Sequence, residues 1–178
     1  KAIVVAGVLI VVLATVVLSG CVGPRGWPGV ATDGETLYVG TIGIAEGRII
    51  ALNPEGGVKW EWRPTKEEVS PGSILSCGCG QQRGVLAGMS YGTPAVANST
   101  VYAGLYTGRV YGIDAGNGFE RWHYDVGSPV VGGVAIGNGT VYVGTSDGWL
   151  YALDANVTTM EGKLKEGFEP VHAGNKIW

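Results

Sequence analysis

Apolar residues alternate with polar or small ones in short runs, and the runs recur along the chain. Thr36-Leu-Tyr-Val-Gly-Thr41 returns as Thr100-Val-Tyr-Ala-Gly-Leu105 and as Thr140-Val-Tyr-Val-Gly-Thr145. A second run follows each: Gly47-Arg-Ile-Ile-Ala-Leu-Asn53, Gly108-Arg-Val-Tyr-Gly-Ile-Asp114 and Gly148-Trp-Leu-Tyr-Ala-Leu-Asp154. The middle unit predicts four strands, over 93–97, 100–105, 109–114 and 119–124, with Asn98-Ser99, Thr107-Gly108 and Ala115-Gly-Asn-Gly118 as turns. Such short β-branched and aromatic runs, punctuated by Gly, Asn and Asp, are the pattern of an antiparallel meander. Tyr102 and Tyr142 lie 40 residues apart, within the ~40–50 residue period of a propeller blade. Tyr38 and Tyr102 lie 64 apart, and the surplus falls in an insertion at about 63–90. The fold class expected is all-β, a β-propeller of four-stranded antiparallel blades at about 27–62, 93–124 and 128–171. Each blade must stack on a neighbour to bury its faces.

The joint pattern of Tyr142-Val-Gly-Thr-Ser-Asp-Gly-Trp-Leu-Tyr-Ala-Leu-Asp-Ala155 and Asp114-Ala-Gly-Asn-Gly-Phe-Glu-Arg-Trp122 resembles the pyrroloquinoline-quinone-like (PQQ-like) β-propeller repeat. The resemblance covers about 27–62 and 91–178. It implies that a closing Trp in each unit, Trp60 and Trp122 here, packs on the next blade. The third unit departs, reaching Phe168 only 14 residues after Asp154. Phe168 is therefore expected to take the Trp position, with 156–167 as a longer hairpin loop. Trp, Tyr and Asp at these positions read first as scaffold, since buried rings supply apolar area and Asp caps a turn.

The front of the chain is different in kind. Residues 2–18 are an uncharged apolar run after Lys1, 17 residues long, nearly the ~17–25 needed to span a bilayer. The run meets Leu18-Ser19-Gly20-Cys21, which resembles the bacterial lipobox. That implies a signal peptide over 1–21, a lipid on the Cys21 thiol, and a propeller over 22–178 tethered outside the cytoplasm. A retained apolar anchor is the alternative. The lone Lys at the front, the three units in 22–178, and Gly174-Asn-Lys-Ile-Trp178 at the far end, which resembles the lead into another blade, point to a piece of a longer protein. Closed propellers have typically 4–8 blades.

Charge narrows the partners. The net formal charge is −3 with no basic run, which argues against nucleic acid. Of three cysteines, Cys77 and Cys79 flank Gly78 in the insertion. They read as a disulfide or structural pair in an oxidising compartment, or as soft-metal thiolates, although no second Cys pair or nearby His completes a zinc site. His123 and His172 read as ordinary strand or loop residues, and Asp125 and Asp147 as turn caps. Asn98-Ser-Thr100, Asn138-Gly-Thr140 and Asn156-Val-Thr158 match the N-glycosylation pattern, and read as turn residues in a bacterial chain.

The family resemblance implies two functions of different classes. One is a non-catalytic binding or assembly scaffold that presents loops to a protein or glycan partner, a class that includes outer-membrane barrel-assembly lipoproteins. The other is a periplasmic dehydrogenase with PQQ and calcium. Family enzymes stack the quinone on a disulfide between adjacent cysteines and hold calcium with Glu, Asn and Asp. Gly78 breaks that adjacency and no carboxylate cluster stands out, so no catalytic, cofactor or metal residue is assigned and the scaffold is the expectation. An extracellular sensor or adhesion domain is a third possibility that the residues do not separate from the first.

Overall fold

A computed structural model describes residues 29–41, 47–64 and 90–174. The described residues form three four-stranded antiparallel sheets and no helix, an arc of three propeller blades. Blade one holds β1 (Val30–Thr32), β2 (Leu37–Gly40), β3 (Ile49–Leu52) and β4 (Val58–Trp62). Blade two holds β5 (Ala95–Ala97), β6 (Thr100–Gly104), β7 (Arg109–Asp114) and β8 (Glu120–Asp125). Blade three holds β9 (Ala135–Gly137), β10 (Thr140–Gly144), β11 (Trp149–Asp154) and β12 (Val171–His172). In each, the strands neighbour one another in chain order. The three recurrent Tyr runs are the second strand of each blade. The 65–89 stretch, with Cys77 and Cys79, lies outside the described residues, as do the apolar run and Cys21.

Period-two burial explains the stacking. The front of blade one, carrying Tyr38, Ile49, Ala51, Trp60 and Trp62, forms one core with Val101, Ala103, Leu105, Tyr111 and Ile113 on the rear of blade two. The front of blade two repeats this with Tyr102, Val110 and Trp122 against Val141, Val143 and Leu153 of blade three. Trp60 leans on Tyr38 with ring centroids 5.9 Å apart, and Trp122 on Tyr102 at 6.0 Å. Each Trp also reaches the next blade's third turn. A Cβ at Gly118 would stand 2.8 Å from the Trp60 ring, and one at Gly162 2.9 Å from Trp122. The register slips at Ala51/Leu52 in blade one and at Gly112/Ile113 in blade two, an equivalent bulge beside each Trp.

The two seams differ in one bond. Trp60 Nε1 donates to Ala115 O at 2.9 Å, whereas the buried Trp122 Nε1 has no hydrogen-bond partner among the described residues. Phe168 does not replace the Trp: it is half-buried, and its amide closes a turn onto Lys165 O at 3.0 Å. The place beside Ala152 is taken by backbone, with Lys165 N donating to Ala152 O at 2.8 Å. The loop instead reaches back over blade two. His123 N donates to Met160 O at 2.9 Å, and Gly162 N returns a bond to His123 O at 2.6 Å. A strap from blade three thus covers part of the β8 edge.

At the hub β5 touches both β1 and β9. The segments leading into these strands cross so closely that a Cβ on Gly92 would fall 1.8 Å from Gly132 O. No side chain larger than hydrogen fits there.

Candidate functional site

The β6–β7 and β10–β11 turns and the 126–132 linker meet at one end of the arc, and backbone bonds set them as a frame. Val130 N donates to Leu105 O at 3.1 Å, Ser146 N to Pro129 O at 2.8 Å, and Val126 N to Gly108 O at 2.8 Å. A Cβ at Gly104 would lie 2.3 Å from Val130 Cγ1, so the 126–132 linker sits directly on the end of β6. Loops fixed by rigid strands are where binding residues concentrate.

The side chains on this frame form two groups. Tyr91 and Tyr106 meet at a tilt of 54° with centroids 5.4 Å apart, at the first linker and the β6–β7 turn. Burial, and then Tyr106, push the Tyr91 hydroxyl above its usual pKa. Beside them Thr107 Oγ1 is buried without a hydrogen-bond partner among the described residues. The second group is on blade three. Asp147 accepts the Thr145 hydroxyl, and that bond, with a smaller contribution from Ser128, holds its carboxyl below the usual range against the opposing effect of desolvation. The Asp147 carbonyl lies 3.0 Å from His172 Nε2, and Trp149 meets the His172 ring edge-on at 5.1 Å. Val131 on the second linker is 45% exposed.

The remaining aspartates serve the scaffold. Asp114 accepts Gly116 N and Asn117 N and pairs with Arg121 at 2.7 Å. Asp154 accepts Asn156 N at 3.0 Å. Asp33 accepts Glu35 N, Thr36 N and the Tyr38 hydroxyl. Burial, followed by that bond, pushes the Tyr38 hydroxyl up to about 12. Asp125 accepts Gly127 N at 2.8 Å and faces Arg109 at 3.6 Å. His123 bonds Glu120 at 2.7 Å. Five aspartates therefore stand in five separate turns, and among the described residues no group of three or more His, Cys, Asp or Glu converges on a metal position. The arrangement presents rings, hydroxyls and one fixed carboxylate, a surface suited to binding. Cys21, Cys77 and Cys79 cannot be placed against it, being outside the described residues.

Sequence reasoning missed Tyr91, Tyr106 and Trp149 as surface groups. Two signals marked them. The tyrosines fall outside the strand alternation, and Trp149 stands where the other units have Arg48 and Arg109.

The family model described as outer membrane protein assembly factor BamB matches residues 45–159. Among solved structures, BamB from Moraxella catarrhalis is 20% identical, with a TM-score of 0.53 over 82% of this chain and 36% of that one. Quinohemoprotein alcohol dehydrogenase from Comamonas testosteroni is 21% identical, with a TM-score of 0.56 over 83% of this chain and 22% of that one. A europium-containing methanol dehydrogenase is 19% identical, with a TM-score of 0.53 over 79% and 24%. At these identities the likeness is one of fold, and the chain spans 22–36% of the length of these proteins. No curated protein matches the chain.

Proposed function

The chain belongs to the PQQ-like propeller family described as outer membrane protein assembly factor BamB, and on that premise we propose that it is an extracytoplasmic, non-catalytic binding and assembly scaffold. A lipid on Cys21 tethers it to a membrane, and a protein or glycan partner is engaged through its loops. The end face carrying Tyr91, Tyr106, Val131 and Trp149 is the contact surface. The observation that carries this reading is the division of labour among side chains. The described aspartates are committed to turns, while rings and an exposed aliphatic stand on a rigid frame. Aromatic groups on a fixed backbone are the usual anchors of a binding surface. Assembly of outer-membrane β-barrel proteins is the finer form of the same reading.

The second reading is a PQQ- and calcium-dependent dehydrogenase, favoured by the fold shared with quinohemoprotein alcohol dehydrogenase. The described aspartates do not fit a calcium site, because each is oriented by its own turn and no three acidic groups among the described residues converge.

Two measurements test the proposal. A photo-crosslinking side chain at Tyr106 or Val131 in cells should give a discrete adduct, and one at Glu55 on the opposite end should not. Equal adducts from both ends would remove the assignment of the face. The purified full chain should show no dye-linked alcohol or sugar oxidation when given PQQ and calcium. Stoichiometric quinone binding with substrate-dependent dye reduction would replace the scaffold with the oxidoreductase.

A further inference from the structure

β1 begins at the end of the arc where β2 finishes. Val30 pairs with Val39, next to Gly40, and beyond it Thr41 N donates to Arg48 O at 2.9 Å. Gly40 and Thr41 correspond to Gly104 and Leu105 of blade two, where Leu105 N donates to Arg109 O at 2.9 Å and the turn carries Tyr106. The linker with Tyr91 lies at the same place, since a Cβ at Gly40 would stand 2.7 Å from Ser90 Oγ. Gly29 itself is seated at the hub, where a Cβ would fall 1.9 Å from Thr93 Oγ1. The chain thus enters blade one on the end that carries Tyr91, Tyr106, Val131 and Trp149. Glu55, in the β3–β4 turn, and Phe119, in the β7–β8 turn, stand at the other end.

We propose that this end face is turned toward the membrane that holds the tether, so that it receives partners borne by that membrane while bulky soluble ones are screened from it. This orientation rests on the tethered-scaffold reading and adds to it the direction in which the face looks. Cys21 precedes Gly29 by eight residues, which reach at most about 28 Å when fully extended. A six-residue strand such as β7 makes a blade about 20 Å tall. A tether from the near end to the bilayer therefore has slack. One that placed the far end on the bilayer would use most of its reach on the height of the blade, before rounding the turns there. Ring exposure alone does not orient the molecule, because Phe119 is 72% exposed at the far end; the tether does. A folded domain of about 100 residues is roughly 30 Å or more across, at least as wide as the largest gap the tether allows.

The test uses the full chain on phospholipid vesicles, with a biotin-bearing side chain at Val131 or at Glu55 and streptavidin as the bulky soluble probe. A protease site replacing residues 22–28 allows the tether to be cut at unchanged length. Cutting should speed streptavidin binding at Val131 severalfold and leave Glu55 unchanged, so each site is compared with its own released form. A Gly/Ser stretch inserted before Gly29, which lets the arc tumble, should speed Val131 without cutting. Circular dichroism of the released chains checks folding, and Tyr106 replaces Val131 if that variant loses its β signal. No change at Val131 on cutting would overturn the proposal, as would a larger change at Glu55 or a Val131 site that stays slow on the lengthened tether. A chain that does not bind vesicles would remove the tether and this orientation with it. Failure of the crosslink at Val131, with the streptavidin result intact, would remove the contact surface of the scaffold and leave the orientation standing.

Discussion

Changing Trp60 to Phe and Trp122 to Phe removes the same atoms from equivalent places, yet the two losses should differ. In each, part of an indole leaves a buried seam, so the apolar contribution is nearly matched. The N–H is not matched. At Trp60 it donates to Ala115 O at 2.9 Å within the core. A net hydrogen bond of this kind contributes about 0.5–1.5 kcal/mol. At Trp122 it is buried with no partner among the described residues, and removing an unsatisfied buried donor relieves about 1–3 kcal/mol. Trp60→Phe should therefore be less stable than Trp122→Phe by about 2 kcal/mol or more. For a chain of this length that corresponds to a melting temperature roughly 4–8 °C lower. Urea unfolding followed by circular dichroism measures the gap between the two variants. Equal losses would refute the reasoning, and a larger loss for Trp122→Phe would reverse it.

Three further outcomes follow from the same geometry. Gly162→Val places side-chain atoms where even a Cβ would be 2.9 Å from Trp122 and 3.0 Å from His123 O. The strap should lift, and the His123 amide, bonded to Met160 O, should exchange with deuterium at least about tenfold faster; unchanged exchange would mean that the strap does not depend on that glycine. Arg121 first, with Gly116 N and Asn117 N, holds the Asp114 carboxyl below the usual carboxylate range. A lowered folded pKa stabilises above the unfolded value and is lost as pH falls through the folded one. Melting temperature should thus hold from neutrality to about pH 5 and fall below about pH 4, less steeply in Asp114→Asn; parallel curves would deny Asp114 the role. Cys21→Ala should abolish palmitate labelling in cells and leave unprocessed chain, and labelling that persists would rule out the lipobox.

The strands were legible because both their period and their recurrence are written in the residues. Tyr38, Tyr102 and Tyr142 mark equivalent strands, and Gly118, four residues from both Asp114 and Trp122, fits its turn. Blade three was legible only in part. Phe168 matched the Trp position in residue type, but the loop before it is free to pair with β8, and backbone bonds to His123 outcompete one ring's preference. The end face was hidden for a different reason. Tyr91 and Tyr106 lie 15 residues apart in chain and meet only because a linker and a turn converge. No local pattern encodes that meeting.

The hub crossing of Gly92 and Gly132 has a mechanical side. Where two backbones touch without side chains between them, the point of contact acts as a pivot, and the blades are its arms. A methyl group inserted at Gly92, aimed at an oxygen 1.8 Å away, works as a wedge driven in at the pivot. A displacement there of a few tenths of an ångström is multiplied outward along the blades. The seam at Trp122, near the rim, then gapes more than the hub does. One hydrogen atom at the centre thus gauges how tightly the whole fan can close.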